Sequence, residues 1–230
     1  MKNNSRQVLS SQTAPHEALE RTLLKHLDSS WKKPVAEHTR SSFESASRWR
    51  DQRGEAPLIL DSGCGSGRSS RALAISSPES LVIGIDQSDE RLSRYIGPLP
   101  NNLLLLRAEA ADFWRLLVEE GWCLEAHYLL YPNPWPKPSQ LKRRWHGHPV
   151  FPTLLSLGGG LELRTNWRVY AEEFAQALTI CGVQSRLLPL AWSAAPLSDF
   201  ELKYQASGHL LFQITADLAG TDACFSCTAD

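Results

Sequence analysis

The sequence predicts an α/β fold in which a mainly parallel sheet is covered on both faces by helices. From Pro57 onward, short apolar runs alternate with longer amphipathic segments, and this alternation is typical of parallel strands joined by helices. A glycine-rich turn, Asp61 to Gly67, follows the first apolar run, at the position where such sheets bind ligands. No helix-length segment is expected between the last two strands, which favours an antiparallel pair at one edge.

Individual elements follow from apolar periodicity and from the helix start and stop signals. Strands are predicted at Leu58–Asp61, Leu81–Asp86, Leu103–Arg107, Ala126–Tyr131, Leu161–Thr165, Val183–Leu188 and His209–Ala216. Helices are predicted at Ser69–Ile75, Asp89–Tyr95, Ala110–Glu119, Val150–Ser156 and Val169–Cys181. Upstream, Pro15 is expected to open a helix with Leu19, Leu23, Leu24 and Leu27 on one face, followed by a weaker helix that carries Phe43, Ala46 and Trp49.

The 230 residues correspond to one domain with an extension, at about 150 residues per domain. Residues 1–14 are rich in Ser, Asn and Gln, so we expect a disordered tail there. Residues 15–53 are expected to form a helical extension, residues 54–218 the α/β domain, and residues 219–230 a C-terminal tail. We expect a monomer, although a dimer remains open.

Apolar segments and cysteine spacing argue against a secreted protein, a membrane protein and a metal site. The polar start lacks the apolar region of a secretory signal, and the apolar runs are shorter than the roughly 20 residues of a membrane span, so we expect a soluble cytoplasmic protein without membrane contact. Five cysteines at irregular spacing indicate free thiols. Cys224 and Cys227 form a lone C-x-x-C without further ligands, so we predict no metal site. His146 and His148 are assigned to a basic loop.

Positive charge is concentrated in one loop although the formal net charge is −1. Residues 137–148 carry four Lys/Arg and no acid, and they adjoin Trp135 and Trp145. Aromatic rings and cations together suit looped RNA, whose bases stack and whose phosphates need neutralisation. The candidate substrate contacts are Lys137, Lys142, Arg143 and Arg144. Residues 1–53, with ten Lys/Arg against six Asp/Glu, indicate either a further basic surface or an ordinary solvated helical face.

The glycine turn has the spacing G-x-G-x-G, which differs from the G-x-G-x-x-G of a dinucleotide pyrophosphate loop. Asp61 beside it would repel a pyrophosphate but would attract an ammonium group and a sulfonium. Asp86 closes the next strand, where an acid typically binds a ribose hydroxyl pair, and Glu109 is placed to meet an adenine edge. S-adenosylmethionine has all of these groups. The candidate cofactor contacts are therefore Asp61, Gly63, Gly65, Gly67, Asp86 and Glu109; alternatively, the acids only cap helices.

Residues 57–217 resemble the bacterial tRNA (guanine-N7)-methyltransferases in four separated motifs. Beside the glycine loop, that family has P-D-P-W-x-K-x-R-H-x-K-R-R, T-D-W-x-x-Y and T-x-F-E. The corresponding segments here are Pro132 to Lys137 with Lys142 to Arg144, Thr165 to Trp167 with Tyr170, and Ser198 to Glu201. The resemblance implies a Rossmann-like class I S-adenosylmethionine-dependent methyltransferase fold of seven strands, with tRNA as the partner and guanine N7 of the variable loop as the target. It also implies that Asn133 is the catalytic residue and contacts the cofactor, and that Asn166, Ser198 and Glu201 contact substrate.

Two family carboxylates are amides in this chain, because Asn133 and Asn166 stand where the family has Asp. Guanine presents two adjacent donors on its Watson–Crick edge; a carboxylate accepts both, whereas an amide offers one acceptor and one donor. The loss of a charged hydrogen bond costs about 1.5–3 kcal/mol. Guanine N7 attacks through a lone pair and loses no proton, so transfer needs alignment and charge stabilisation but no general base. Asn133 is thus interpreted as a weakened orienting group.

Two other functions are compatible with the sequence. One is a catalytically impaired paralogue that binds RNA or the cofactor without methyl transfer. The other is an N-methyltransferase of an exocyclic or side-chain amide or amine, because Asn133-Pro134-Trp135 is similar to the N-P-P-[YFW] loops of such enzymes. The neighbouring Lys142 to Arg144 cluster favours the tRNA enzyme over that alternative.

Overall fold

A seven-stranded sheet forms the centre of the protein in the computed structural model, which describes residues 5–29, 31–95, 97–193 and 195–219. The strands are β1 Leu58–Ser62, β2 Leu81–Asp86, β3 Leu103–Arg107, β4 Ala126–Leu130, β5 Gly160–Thr165, β6 Ser185–Pro189 and β7 Phe212–Asp217. Their order in the sheet is β3-β2-β1-β4-β5-β7-β6. The first five strands are parallel, and β7 runs antiparallel to both β5 and β6. The predicted α/β class with an antiparallel edge is confirmed.

Helices connect the strands and precede the first one. They are α1 Leu19–Leu27, α2 Glu37–Asp51, α3 Arg68–Ser76, α4 Asp89–Leu92, α5 Ala110–Glu119, α6 Phe151–Leu155, α7 Arg168–Ile180 and α8 Asp199–Ala206. Two short 3-10 helices, Pro138–Arg143 and Trp145–Gly147, lie between β4 and α6. Every predicted helix is present in the structure, with ends shifted by a few residues in several cases.

The core lies on both faces of the sheet. Every residue of β1 and β2 is buried, as expected for parallel strands that are covered on two sides. Leu58 and Leu60 of β1 belong to one apolar cluster, together with Phe43 of α2. Ile59 points to the opposite face and packs in a second cluster with Leu73 of α3. Alternate residues of one strand thus hold α2 and α3 on opposite sides.

The N-terminal segment lies against the domain before α1 begins. Residues 5–14 contain no helix or strand, yet Gln12 Nε2 donates to Glu173 Oε1 over 2.6 Å. The His16 backbone N–H donates to the same oxygen over 2.9 Å. A turn at residues 17–18, closed by the Leu19 N–H donating to the His16 carbonyl over 2.9 Å, precedes α1, so the helix starts at Leu19 and not at Pro15, where the sequence predicts it.

The expectation that no helix separates the last two strands is wrong. The eight-residue helix α8 lies between β6 and β7. Its polarity is inverted: Glu201 and Gln205 are buried, while Phe200 and Leu202 are exposed. An apolar stripe at helical spacing, which the prediction requires, is therefore absent from this segment. The antiparallel pairing of β6 with β7 is as predicted.

Several negative findings apply to the described residues alone. Within them, every helix is too short or too polar to cross a lipid bilayer. Cys64, Cys123 and Cys181 are free thiols, and the Cys224/Cys227 pair lies outside the described residues. No cluster of three or more His, Cys, Asp or Glu in these ranges could hold a metal ion.

Candidate functional site

The carboxyl ends of the parallel strands bring the predicted site residues to one edge of the sheet. The glycine turn follows β1, Asp86 ends β2, Glu109 follows β3, Asn133 follows β4 and Asn166 follows β5. Because β1 pairs with both β2 and β4 in parallel register, the glycine turn lies between the loops that follow those two strands. Such an edge is where ligands bind in open α/β sheets.

The glycine turn has a backbone that only glycine adopts easily. Gly63, Gly65 and Gly67 have φ angles of 80°, 62° and 80°. A Cβ atom on Gly67 would lie 2.6 Å from Cδ1 of Leu105, so this position also requires close packing. A Cβ atom on Gly63 or Gly65 would meet no atom within 4 Å, and both residues line a cavity. The turn therefore exposes its backbone to a space in which a ligand can lie.

Asp61 lies behind the turn and not at its mouth. Its side chain is fully buried, and Oδ2 accepts hydrogen bonds from Ser69 Oγ (2.6 Å) and Ser70 Oγ (2.7 Å). Within the described part of the chain, the buried Oδ1 atom has no hydrogen-bond partner. Burial raises the pKa of Asp61 to about 6, against the opposing effect of the two serine hydrogen bonds. An orphaned carboxylate oxygen of this kind fits a cationic ligand group, and its bonds to serine hydroxyls do not cap a helix.

The carboxylate of Asp86 connects the glycine turn to the segment after β2 by hydrogen bonds. Its Oδ2 accepts from the Gly65 N–H over 3.0 Å, and its Oδ1 accepts from the Ser88 N–H over 2.8 Å. Arg91 Nη1 lies 3.2 Å from Oδ2 and forms an ion pair with it. Sequence reasoning missed Arg91, which lines the cavity and occupies the approach to Asp86. A ribose that reached this carboxylate would displace the arginine.

The cavity above the turn has a volume of about 230 Å³ and is closed on one side by α8. Ser66 Oγ donates to Asp199 Oδ2 over 2.6 Å, and Arg68 Nη1 lies 3.6 Å from Asp199 Oδ1. These contacts join the glycine turn and the first residue of α3 to the first residue of α8. The lining residues are Gly63, Cys64, Gly65, Ser66, Ser69, Arg91, Arg94, Leu130, Ser198, Asp199, Phe200 and Lys203.

The loop after β4 carries backbone strain at two non-glycine residues. Tyr131 has φ 55° and Trp135 has φ 46°, a region that bulky residues seldom adopt and that recurs at functional sites. Between them, the side chain of Asn133 is exposed, and its Oδ1 accepts from the Trp135 N–H over 3.4 Å. The Arg143 guanidinium lies 4.8 Å from the centroid of the Trp135 ring. The loop thus presents an amide, an indole and a cation together.

Arg144 does not belong to that exposed group, which corrects its assignment as a substrate contact. Its side chain is fully buried, and Nη1 lies 2.5 Å from Glu173 Oε2. Nε donates to the Trp135 carbonyl (3.2 Å), and Nη2 donates to the Lys137 carbonyl (3.3 Å). No guanidinium surface is left for a phosphate, so Arg144 holds the loop from inside. The other three candidates, Lys137, Lys142 and Arg143, are exposed.

The polar residues after β5 and around α8 are engaged within the fold. Asn166 Nδ2 lies 3.0 Å from His209 Nδ1. Ser198 caps α8 by accepting from the Glu201 N–H over 3.2 Å. Glu201 is buried, and its Oε2 accepts from Arg164 Nη1 (2.7 Å) and from the Tyr131 hydroxyl (3.2 Å). These bonds occupy acceptors of Ser198 and Glu201, whereas the Asn166 contact uses its amide nitrogen. The bond between Tyr131 and Glu201 links α8 to the loop after β4.

Glu109 occupies the N-cap position of α5 and is half-buried. Its backbone N–H donates to Thr39 Oγ1 over 3.0 Å, which joins α2 to the end of β3. The side chain is absent from the cavity lining, so its contact with an adenine stays a prediction.

Two charged residues that organise this edge were missed by sequence reasoning. Arg164 lies on the half-buried face of β5, and its Nη1 contacts Glu201. Glu173 lies on the buried face of α7 beside Tyr170 and Phe174. A charged residue on an otherwise apolar helix face is the signal that could have revealed Glu173, whereas Arg164 follows the polar alternation of β5 and carries no such signal.

Comparisons with known proteins agree with this geometry. A family described as "Putative methyltransferase" matches residues 55–213. A tRNA (guanine-N(7)-)-methyltransferase of Treponema pallidum subsp. pallidum is 28% identical over 70% of this chain and 68% of its own length. The protein of the same description from Yersinia enterocolitica is 27% identical over 67% of this chain and 70% of its own length.

Solved structures show the same fold at lower identity. The 16S rRNA methyltransferase KamB is 19% identical, covers 82% of this chain and 97% of its own, and has a TM-score of 0.56. A 16S rRNA (adenine(1408)-N(1))-methyltransferase of Catenulisporales acidiphilia, solved with its cosubstrate SAM, is 18% identical. It covers 76% of this chain and 90% of its own, with a TM-score of 0.51.

The predicted cofactor agrees with these matches: S-adenosylmethionine suits the orphaned oxygen of Asp61 and the open backbone of Gly63 and Gly65. The predicted resemblance to tRNA (guanine-N7)-methyltransferases is confirmed by the curated relatives. With residues 55–213 matched, the chain belongs to the family described as "Putative methyltransferase".

Proposed function

We propose that the protein transfers a methyl group from S-adenosylmethionine to N7 of a guanine in the variable loop of tRNA. The observation that carries this proposal is the pairing of β1 with β4, after which the glycine turn and the Tyr131 to Lys137 loop follow directly. Leu130, the last residue of β4, lines the same cavity as Gly63 and Gly65. A donor held on the turn would therefore adjoin a loop that offers an aromatic ring and cations.

Four residues are proposed to hold the cofactor. The backbone at Gly63 and Gly65 borders the cavity, Asp86 would accept from the ribose hydroxyls, and Asp61 would balance the ammonium charge. S-adenosylmethionine supplies an activated methyl group on a positively charged sulfur. The protein's task is then to keep water out and to hold the acceptor base in line with that group.

Asn133 is proposed to orient the guanine. Its amide is exposed beside the strained Trp135, so it can reach a base that approaches the cavity from the loop side. An amide oxygen can also stabilise the positive charge that develops on the ring as N7 gains the methyl group. Arg143, held over Trp135, is proposed to neutralise a nearby phosphate.

A catalytically impaired protein that binds RNA or the cofactor is the second candidate, and one observation favours it. Glu201, the carboxylate that the family resemblance assigns to substrate, is bonded to Arg164 and to the Tyr131 hydroxyl. The acceptors proposed to remain for the base are then amides such as that of Asn133, and an amide binds guanine less well than a carboxylate.

Incubation with labelled S-adenosylmethionine and unmodified tRNA, followed by nucleoside analysis, tests the proposal. N7-methylguanine is the expected product, whereas an N-methylated exocyclic amine would support the amine N-methyltransferase. Cofactor binding in calorimetry without methyl transfer would support the impaired protein. If neither binding nor transfer is detected, the proposed enzyme is rejected.

A pair of glycine variants supplies the matched control. Gly65→Ala places a methyl group in the cavity and is expected to abolish transfer, because the Cβ would enter the space proposed for the cofactor. Gly54 also has a left-handed backbone, with φ 76° compared with 62° for Gly65, but it lies outside that cavity. Gly54→Ala therefore introduces similar backbone strain. It is expected to retain transfer, so equal loss in both variants would indicate a folding effect.

A further inference from the structure

A second cleft, with a volume of about 600 Å³, lies between the N-terminal extension and the segment that follows the Tyr131 to Lys137 loop. One wall consists of α1 and the turn before it, and the other wall is the 3-10 helix Pro138–Arg143. The lining residues are His16, Ala18, Arg21, Thr22, Lys25, His26, Pro138, Ser139, Leu141 and Lys142.

Three of these side chains are permanently cationic, and none of the lining residues is acidic. Arg21 and Lys25 are four residues apart on α1, so they project from one face of the helix toward the cleft. Lys142 faces them from the opposite wall. Within the residues that the structure describes, none of the three forms an ion pair, whereas Arg164 and Arg168 each pair with a glutamate.

The pKa of His26 reflects the same concentration of positive charge. This residue is buried at the base of the cleft, and burial lowers its pKa. Repulsion from Lys142 and Lys25 lowers the pKa of His26 further. A chain with a formal net charge of −1 thus keeps an uncompensated cationic concavity at one place. A bound anion with several charges would relieve that repulsion.

We propose that this cleft binds the phosphodiester backbone of tRNA next to the target nucleotide, with Arg21 and Lys25 as phosphate contacts beside Lys142. The inference rests on the proposed tRNA methyltransferase function. The location of the cleft supports this proposal. Pro138 directly follows Lys137, so the cleft continues the proposed base-binding loop. A strand of RNA that leaves the loop meets the three cations at the next concave surface.

The N-terminal extension acquires a function under this inference. Leu19 and Leu23 of α1 are buried, and they fix the helix on the domain so that its opposite, charged face borders the cleft. The excess of basic residues in 1–53 is then in part a binding surface, and not only a solvated helical face.

Single charge reversals test the cleft. Arg21→Glu and Lys25→Glu are each expected to lower tRNA affinity about tenfold and to reduce the slope of log affinity against log salt concentration by roughly 0.7–0.9. Arg71→Glu on α3, an exposed arginine on the opposite face of the sheet, is the matched control and is expected to change neither quantity. Filter binding of tRNA over a potassium chloride series measures affinity and slope. Calorimetry should give the same cofactor affinity in all variants.

The outcomes separate this inference from the proposed function. If wild-type protein methylates tRNA but the Arg21 and Lys25 variants keep its salt slope, the cleft is rejected and the proposed function stands. A loss of affinity without a change in slope would indicate altered packing and would also reject the cleft. If the wild-type protein does not bind tRNA at all, the proposed function fails and the inference fails with it.

Discussion

Asn133 limits the rate of guanine methylation in our account, because its amide offers one acceptor to a base that presents two donors. Asn133→Asp is expected to raise kcat/KM for tRNA about ten- to a hundredfold, corresponding to a charged hydrogen bond of about 1.5–3 kcal/mol. Formation of N7-methylguanine by purified wild-type and variant proteins measures the change. The exposed position of residue 133 predicts equal thermal stability for both. No gain in rate would point to a different substrate or to a binding role.

The protonation of Asp61 should govern cofactor affinity. Burial raises its pKa to about 6, and only the ionised carboxylate attracts an ammonium or sulfonium group. Cofactor binding is therefore expected to tighten as the pH rises through about 6. Calorimetric titrations at pH 5 and pH 7.5 check this, with Asp61→Asn as a variant whose affinity should be weak at both values. Equal wild-type affinity at the two pH values would exclude Asp61 from the cofactor site.

Residue types and spacing predicted the position of the glycine turn after β1 but did not reveal which side chains are buried. Arg144 looks like Lys142 and Arg143 in the sequence, since all three belong to one basic run. Only the position of Glu173, 29 residues further along the chain, draws the Arg144 side chain into the core. A long-range partner of this kind leaves no local pattern, so the sequence could not distinguish the buried arginine from the exposed cations.

At the scale of elements, α7 anchors the Tyr131 to Lys137 loop through Glu173 and Arg144. Glu173 accepts from Arg144, from His146 Nε2 (2.8 Å) and from Gln12 Nε2 (2.6 Å), and Arg144 bonds to the loop carbonyls. Glu173→Gln would leave a buried guanidinium without its counter-charge, so unfolding free energy is expected to fall by about 3–5 kcal/mol. Urea denaturation measures this loss.

Glu172→Gln is the matched control on the same helix. Glu172 pairs with Arg168 at the surface over 2.7 Å, and such exposed pairs contribute about 0–1 kcal/mol. Similar losses in the Glu172 and Glu173 variants would contradict the proposed anchor.

Helices and strands whose apolar residues recur on one face were predicted from the sequence. Helix α8, which buries polar residues and exposes apolar ones, was not. The strands of the sheet follow apolar runs, and α5 and α7 carry apolar faces at helical spacing. Helix α8 buries Glu201, because Arg164 and the Tyr131 hydroxyl satisfy its carboxylate. Its burial depends on residues far away in the chain, which periodicity within one segment does not detect.

At the scale of the whole molecule, buried neutral histidines should make stability fall in acid. Burial lowers the pKa of His127 to about 3 and that of His148 to about 4, from an unfolded value of 6.5. Below pH 6.5 the unfolded chain therefore binds protons that the folded protein does not, and unfolding free energy decreases as the pH falls. Asp61 opposes this trend, because its raised pKa destabilises the folded state above about pH 6 and this cost is relieved as the pH falls from about 6 to 3.8.

Unfolding free energies from urea denaturation at pH 7, 6 and 5 measure this slope. His127→Asn removes one of the contributing groups and is expected to flatten the slope, even though it loses the bond between His127 Nε2 and Ser62 Oγ. A wild-type stability that rises on acidification would contradict the assignment.

The arrangement of the molecule was predictable because it depends on strand order and direction. Alternating strands and helices place every βα loop at one edge, so the glycine turn and the loop after β4 were both expected there. Their adjacency follows from the pairing of β1 with β4, which the alternation does not specify. The closure of the cavity by α8 and the cleft formed by α1 depend on packing between distant segments. Neither of them could be predicted from spacing along the chain.

A crystal structure with S-adenosylhomocysteine bound tests the central claim most directly. The account predicts the ligand on Gly63 to Gly67, with its ribose at Asp86 in place of Arg91 and its sulfur facing the loop that carries Asn133. A ligand bound elsewhere, or one whose sulfur faces away from that loop, would contradict it.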